Sequence, residues 1–203
     1  MLTYPLFLGL TLGVRHAADP DHVATIATVV LGRTSLGGAL RTAVLWGLGH
    51  TLTFLAVGLG IVLFGLHVPE AFETTVEIMI ASTLLALGTA QLLRTRRAAH
   101  THDHGPAPHP ARSVALGGMH GLAGSAGVAL LALSTIPSQA EALLYLLVFG
   151  IGTMLGMALI TLLIAWGFRL TSSVAWAQRA LTLTAGVVSC VVGLMIFGEL
   201  IWA

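Results

Sequence analysis

Lysine is absent, and charged residues together make up only 8% of the 203 positions. A soluble domain carries about 25%, so this chain lacks the polar surface to cover a water-soluble globule. Apolar residues reach 56% and the mean hydropathy is +0.94, which makes the bilayer the expected solvent. The formal net charge is +1, and no basic, aromatic-interleaved patch offers a surface for nucleic acid. Cys190 is the single cysteine, which excludes an intramolecular disulfide and any CxxC redox pair. There is no P-loop for nucleotide hydrolysis and no HExxH zinc motif. The first apolar stretch lacks a basic n-region, so no cleavable signal peptide is expected.

Six stretches are long enough to span, at roughly 20 residues per crossing. They lie near 3–31, 40–66, 72–93, 113–134, 142–168 and 178–202. The arginines orient them. Arg33 and Arg41 flank the first connection, Arg94, Arg96, Arg97 and Arg112 lie in the third, and Arg169 and Arg179 flank the fifth. The second connection carries Glu70, Glu73 and Glu77, and the fourth only Glu141. Every arginine outside the first span therefore falls on one side. By the positive-inside rule that side is cytoplasmic and both termini face outward.

The halves resemble each other. GVRHAADPDHVATIAT (13–28) aligns with GGMHGLAGSAGVALLA (117–132), and WGLGHTLTF (46–54) with FGIGTMLGM (149–157). His16 then matches His120, His50 matches Thr153 and Gly88 matches Gly193, at offsets of 104, 103 and 105. A three-span unit repeated once must insert in opposite orientations, the plan of many secondary transporters. The expected fold is all-α and polytopic, with six transmembrane helices in two inverted three-helix repeats. The expected units are 1–93 and 113–203, joined by a cytoplasmic loop over 94–112.

The densest polar cluster, RHAADPDH (15–22), interrupts the first apolar span. Ionisable residues at bilayer depth are costly and mark substrate or ion pathways. Pro20 has no N–H and disfavours helical geometry at Asp19, so the helix is expected to break there and release the His16 carbonyl. On an unbroken helix His16, Asp19 and His22 share a face with Arg15, while Asp21 joins them only through an unwound turn. Imidazole and carboxylate together suit divalent Ni, Co, Zn or Fe, and the cluster has no soft sulfur ligand for Cu(I). Arg15 is a candidate counter-ion for an Asp. A buried salt-bridge network that only locks helices together is the alternative use of the same residues.

His50 lies near mid-depth in LWGLGHTLTF (45–54), between glycines that permit close helix approach. His120 opens GGMHGLAGSAG (117–127), as a candidate pathway residue or second-repeat ligand or as a packing histidine. Thr51, Ser125 and Thr153 offer oxygen, whereas Met119, Met154 and Met157 read as packing. Cys190 reads as inert, and Glu199 and Trp202 as interface anchors. In the loop RTRRAAHTHDHGPAPHPAR, His100, His102, His104 and His109 with Asp103 form a His-rich tract, a candidate metal buffer or a plain linker.

His-x4-Asp-His within RHAADPDH, with GLGHT in the second span, resembles the nickel/cobalt transporter superfamily of permeases, His-loop exporters and small urease-accessory-type membrane proteins. The likeness is strong over 9–56 and weaker over 113–133. It implies His16, Asp21 and His22 as metal ligands, with Asp19 and His50 also matching. It further implies movement of Ni²⁺ or Co²⁺ across the cytoplasmic membrane, as a transported substrate with no permanently bound cofactor. The larger permeases have eight spans and an acidic Leu-Gly-x-Asp-Thr-Ala-Thr-Glu motif. Here HGLAGSAG stands in its place, as in the urease-accessory-type members, while the His-rich loop resembles the exporters. Protons compete with the metal for neutral imidazole, which makes proton coupling an expectation. A homo-oligomer and a metallochaperone or a urease or hydrogenase maturation system are candidate partners. The rival readings are an intramembrane zinc hydrolase, a metal-binding accessory or sensor protein, and an exporter of organic solutes or oxyanions.

Overall fold

The computed structural model describes residues 3–31, 35–97, 109–122, 133 and 135–202. Among them the chain is all-helical, in seven helices: α1 (Thr3–His16), α2 (Pro20–Val30), α3 (Leu36–Phe64), α4 (Glu70–Arg97), α5 (Pro110–His120), α6 (Gln139–Leu170) and α7 (Ala175–Trp202). Four of them, α3, α4, α6 and α7, are long and apolar enough to cross a membrane. They coincide with the second, third, fifth and sixth expected spans. The first expected span is divided between α1 and α2, of 14 and 11 residues. In the fourth, α5 supplies the described part, up to His120, and residues 123–132 lie outside the described residues.

Local chemistry sets the ends. Asp19 adopts φ −59° and ψ 143°, the extended geometry that a following proline imposes, and Pro20 then occupies the first turn of α2, where its missing N–H costs nothing. Ser35 caps α3 by accepting from the Gly38 N–H at 3.0 Å. Gly65, at φ 62°, ends α3 in the left-handed conformation and donates back to Gly60 and Ile61.

The side-chain pattern is inverted relative to a soluble bundle. On α6, Leu147, Ile151, Leu155, Leu159 and Leu163 recur every four residues and are each more than half exposed. The opposite stripe, Tyr145, Phe149, Thr153 and Met157, is fully buried. Leu40, Val44, Leu48 and Leu52 make the same outward stripe on α3. Such a surface is stable only against acyl chains.

Lipid gives helices no hydrophobic reason to associate, so close backbone approach and interhelical hydrogen bonds hold the bundle. At the α3–α5 crossing, a Cβ on Gly49 would strike the Val114 carbonyl and one on Gly117 the Trp46 carbonyl. At the α1–α6 crossing, a Cβ on Gly152 would lie 2.8 Å from the Leu10 carbonyl oxygen, and one on Gly13 would strike the Phe149 carbonyl. These four contacts pair off at the repeat offset read from sequence: Gly13 with Gly117, Leu10 with Val114, Trp46 with Phe149 and Gly49 with Gly152. Threonine and serine add bonds across helices: Thr51 to the Gly150 carbonyl at 3.3 Å, Thr53 to the Gly118 carbonyl at 3.0 Å and Ser189 to the Leu84 carbonyl at 2.9 Å.

Gly117→Ala should therefore drive α5 off α3 and destabilise the bundle by more than about 3 kcal/mol. Gly167→Ala, where an added methyl meets nothing within 4 Å, should be neutral. Thermal unfolding in detergent distinguishes them. Equal midpoints for the two variants would disprove the close-approach account.

Candidate functional site

The α1–α2 break brings together side chains that a continuous helix would spread apart. Ala17 N–H still bonds the Gly13 carbonyl at 3.1 Å, but Ala18 and Asp19 bond the carbonyls of Arg15 and His16 at 2.9 and 3.1 Å. The tightened turn thus corrects one expectation: the His16 carbonyl is not released by Pro20, because the Asp19 N–H takes it. After the turn α2 resumes, with Val23 N–H on the Asp19 carbonyl at 3.0 Å.

His16, at the end of α1, and His22, in the first turn of α2, now face each other with ring centroids 4.6 Å apart. His50 of α3 stands 5.0 Å from the first ring and 5.2 Å from the second. One ring nitrogen from each of the three lies within 4.8 Å of the others. His120 of α5 joins from the far side, 5.4 Å from His22. All four imidazoles are buried. Phe149 packs on His16 at 5.5 Å. Trp46 packs on His22 and His120 at 5.2 and 5.3 Å.

The carboxylates fix the rings. His16 Nδ1 lies 2.8 Å from Asp19 Oδ2, and His22 Nδ1 lies 3.0 Å from Asp21 Oδ1. A carboxylate only accepts, so in each neutral ring Nδ1–H donates and Nε2 carries the lone pair. His16 Nε2 lies 3.0 Å from His50 Nε2, so His50 is the donor in that pair and its Nδ1 is bare. The Nε2 of His22 and the Nδ1 of His50 are both buried and have no hydrogen-bond partner among the described residues. A buried polar atom left in that state costs about 1–3 kcal/mol, and a cation would satisfy the Nε2 of His22. Carboxylate-oriented imidazole is the usual outer arrangement around a metal-ligating histidine. Asp19, Asp21 and His22 also present ligand atoms within 4.8 Å of one another, with Asp19 partly exposed.

Among the described residues the imidazole–carboxylate contacts at the cluster are His16–Asp19 and His22–Asp21. Arg15, the expected counter-ion, is exposed. Thr153 is fully buried but bonds the Phe149 carbonyl within its own helix at 2.9 Å. Met157 packs with Ala17, Ile26 and Trp46. Cys190 sits against α4, 3.9 Å from Thr89 Oγ1. His109 is exposed at the start of α5. His100, His102, His104 and Ser125 lie outside the described residues. Two side chains at the cluster had no signal in the sequence. Thr25 Oγ1 lies 3.1 Å from His120 Nε2, and Trp46 has a buried indole N–H without a partner among the described residues. Threonine and tryptophan are ordinary in an apolar helix, so only their neighbours identify them.

Residues 5–123 match the family model described as high-affinity nickel-transport protein. That segment holds His16, Asp19, Asp21, His22, His50 and His120. The chain is 34% identical to the urease accessory protein UreH of Bacillus sp. (strain TB-90), over 93% of this chain and 88% of that one. It is 28% identical to the chloroplast protein FOR GROWTH AND FERTILITY 2 of Arabidopsis thaliana, over 88% of this chain and 54% of that one. The chain thus spans about half the length of the plant relative. No solved structure matches. A transporter family leaves no place for the zinc-hydrolase reading of the same side chains. A model match over more than half of the chain, and a relative aligned along nearly all of it, make the assignment: the chain belongs to the high-affinity nickel-transport protein family and is a membrane transporter, not an enzyme.

Proposed function

We propose that the chain is a six-span secondary transporter that moves Ni²⁺ or Co²⁺ across the cytoplasmic membrane through a site at mid-membrane. The observation that carries this reading is the convergence of three buried imidazoles, His16, His22 and His50, two of them tied at Nδ1 to Asp19 and Asp21. In this reading the ion is held by the imidazoles. Asp21 and Asp19 orient two of them, supply negative charge and accept the ion on its way in or out. His50 shifts its proton from Nε2 to the bare Nδ1, which clears the edge it shares with His16. The tautomers exchange without any net proton uptake.

An all-nitrogen set with carboxylate support suits borderline divalent metals, where hard cations prefer oxygen and Cu(I) prefers sulfur. Phe149 and Trp46 wall the site with apolar rings, which excludes bulk water and strengthens the charge interactions within it. The four matched contacts at the two crossings, α1–α6 and α3–α5, support the inverted repeat, whose interface is where such transporters keep their site. The arginine distribution supports both termini outside and the 94–112 loop in the cytoplasm. Its histidines would buffer the metal there. The name of the bacillus relative supports a link to urease maturation, through a metal-carrying partner on the cytoplasmic side.

Cells loaded in turn with Ni²⁺, Co²⁺ and Zn²⁺ are expected to show a changed content of one metal when they express the wild type. His16→Ala, His22→Ala and His50→Ala should each abolish that change. Metal content by mass spectrometry, at matched expression, is the measurement. No change with the wild type would refute the transporter site, and an unchanged His16→Ala strain would refute its location. Asp19→Asn and Asp21→Asn keep the shape but weaken the orienting bond, so uptake or efflux should fall about 10–100-fold rather than vanish.

Competition separates ligand types. Excess Co²⁺ should suppress Ni²⁺ movement in proteoliposomes, whereas excess Mg²⁺ or Ca²⁺ should not. Suppression by Mg²⁺ would show that oxygen ligands dominate the site.

A further inference from the structure

We propose that His120 and His22 form a second metal station, on the cytoplasmic side of the first, and that the Thr25 hydroxyl is the lock that a passing ion displaces. The proposal rests on the transporter reading above and adds a route to it. His120 Nδ1 lies 2.9 Å from the Leu116 carbonyl. A carbonyl only accepts, so Nδ1–H donates and Nε2 carries the lone pair. Thr25 O–H is therefore the donor in the 3.1 Å contact with that Nε2. His120 is thus oriented as a ligand, with its one ligating atom covered by a hydroxyl rather than by a carboxylate or a backbone group. Oxygen-to-nitrogen bonds between neutral groups are the weaker kind, and a divalent ion outcompetes one.

His22 is the link between the stations. It touches His16 and His50 on one side and His120 on the other, and its Nε2 has no partner among the described residues. Its Nδ1 stays on Asp21 throughout, so the ring keeps one orientation while its ligating atom serves either neighbour. Trp46 packs on both His22 and His120 and keeps the handover dry.

Beside Thr25, Trp46 and Leu116 the packing leaves a small cavity, about the size of one water, whose lining is mostly apolar (Ile26, Val30 and Ala43 among it) but also includes Thr42, Ser113 and Thr161. Thr42 and Ser113 lie close to Arg41 and Arg112 in the chain, and Thr161 lies in the half of α6 that leads to Arg169. The cavity therefore lies on the side of the second station that leads toward the arginine-bearing face.

Full-length protein tests this with two assays: equilibrium Ni²⁺ binding in detergent, and Ni²⁺ flux in proteoliposomes read by an entrapped dye. His120→Ala should keep one Ni²⁺ bound with wild-type affinity while flux falls at least about tenfold. Thr25→Val keeps the side-chain shape and removes the lock; because His22 Nε2 serves one station at a time, it should still bind one Ni²⁺, and Ni²⁺ flux should rise above the wild type. Wild-type flux in His120→Ala overturns the proposal. So does loss of equilibrium binding in a folded His120→Ala, which would make His120 part of the first site. If His120→Ala does not fold, Thr25→Val decides, and wild-type flux there overturns the lock. A wild type that neither binds nor moves Ni²⁺ would instead bring down the transporter reading itself.

Discussion

Everything at the site depends on how the chain satisfies its backbone where α1 gives way to α2. Inside a bilayer, no water can bond an exposed N–H or C=O, and each unsatisfied group costs several kcal/mol. In the proposed mid-membrane placement, a helix break must therefore be short and self-contained. Three residues, Ala17 to Asp19, make it. Their N–H groups bond carbonyls three or four residues back, and Pro20 removes one of the donors that the first turn of α2 would otherwise strand. The turn is tight, so it changes the direction of His16 and His22 relative to each other without opening the backbone to lipid.

That geometry converts a costly run of ionisable residues into two carboxylate–imidazole pairs. Each Asp binds a His close to it in sequence, Asp19 to His16 and Asp21 to His22. The local pairs orient the rings, and distant elements complete the constellation: α3 brings His50 and α5 brings His120. Both partners arrive on crossings where glycine lets backbone meet backbone. Side chains on tightly crossed helices are held more firmly than side chains on loops, the firmness that the proposed selection between ions of similar charge requires.

The aromatic and aliphatic neighbours are as much part of the design as the ligands. Phe149 and Phe54 stack with centroids 4.5 Å apart beneath His16 and His50, while Trp46 covers His22 and His120. The polar cluster is thereby enclosed between apolar packing layers, so charge at its centre is felt at low dielectric. Unpaired nitrogens in such a place are expensive, and that cost is what supports the proposal of a cation there. The outward stripes of leucine on α3 and α6 do the opposite task, presenting to lipid a surface with nothing to bond.

The sequence alone determined the apolar surroundings and the four long helices, and it singled out the residues on which the proposed site rests. Charged residues are so scarce that RHAADPDH and His50 stand out against an apolar background, and Pro20 marks the break because its ring forbids the continued helix. The offset of about 104 residues between halves was legible because glycine and histidine recur in register. Tertiary structure decided the rest. Whether the His16 carbonyl is released depends on a turn that sequence does not encode as a residue type, and the Asp19 N–H claims it. Whether an Asp meets an Arg or a His depends on which side faces the bundle: Arg15 faces out and both carboxylates face imidazole. Thr25 and Trp46 are silent as letters, and they matter only because α2, α3 and α5 meet there. Hydropathy and spacing report what a segment can bury, whereas hydrogen-bond partners and unpaired atoms are properties of neighbours, which only the packed helices supply.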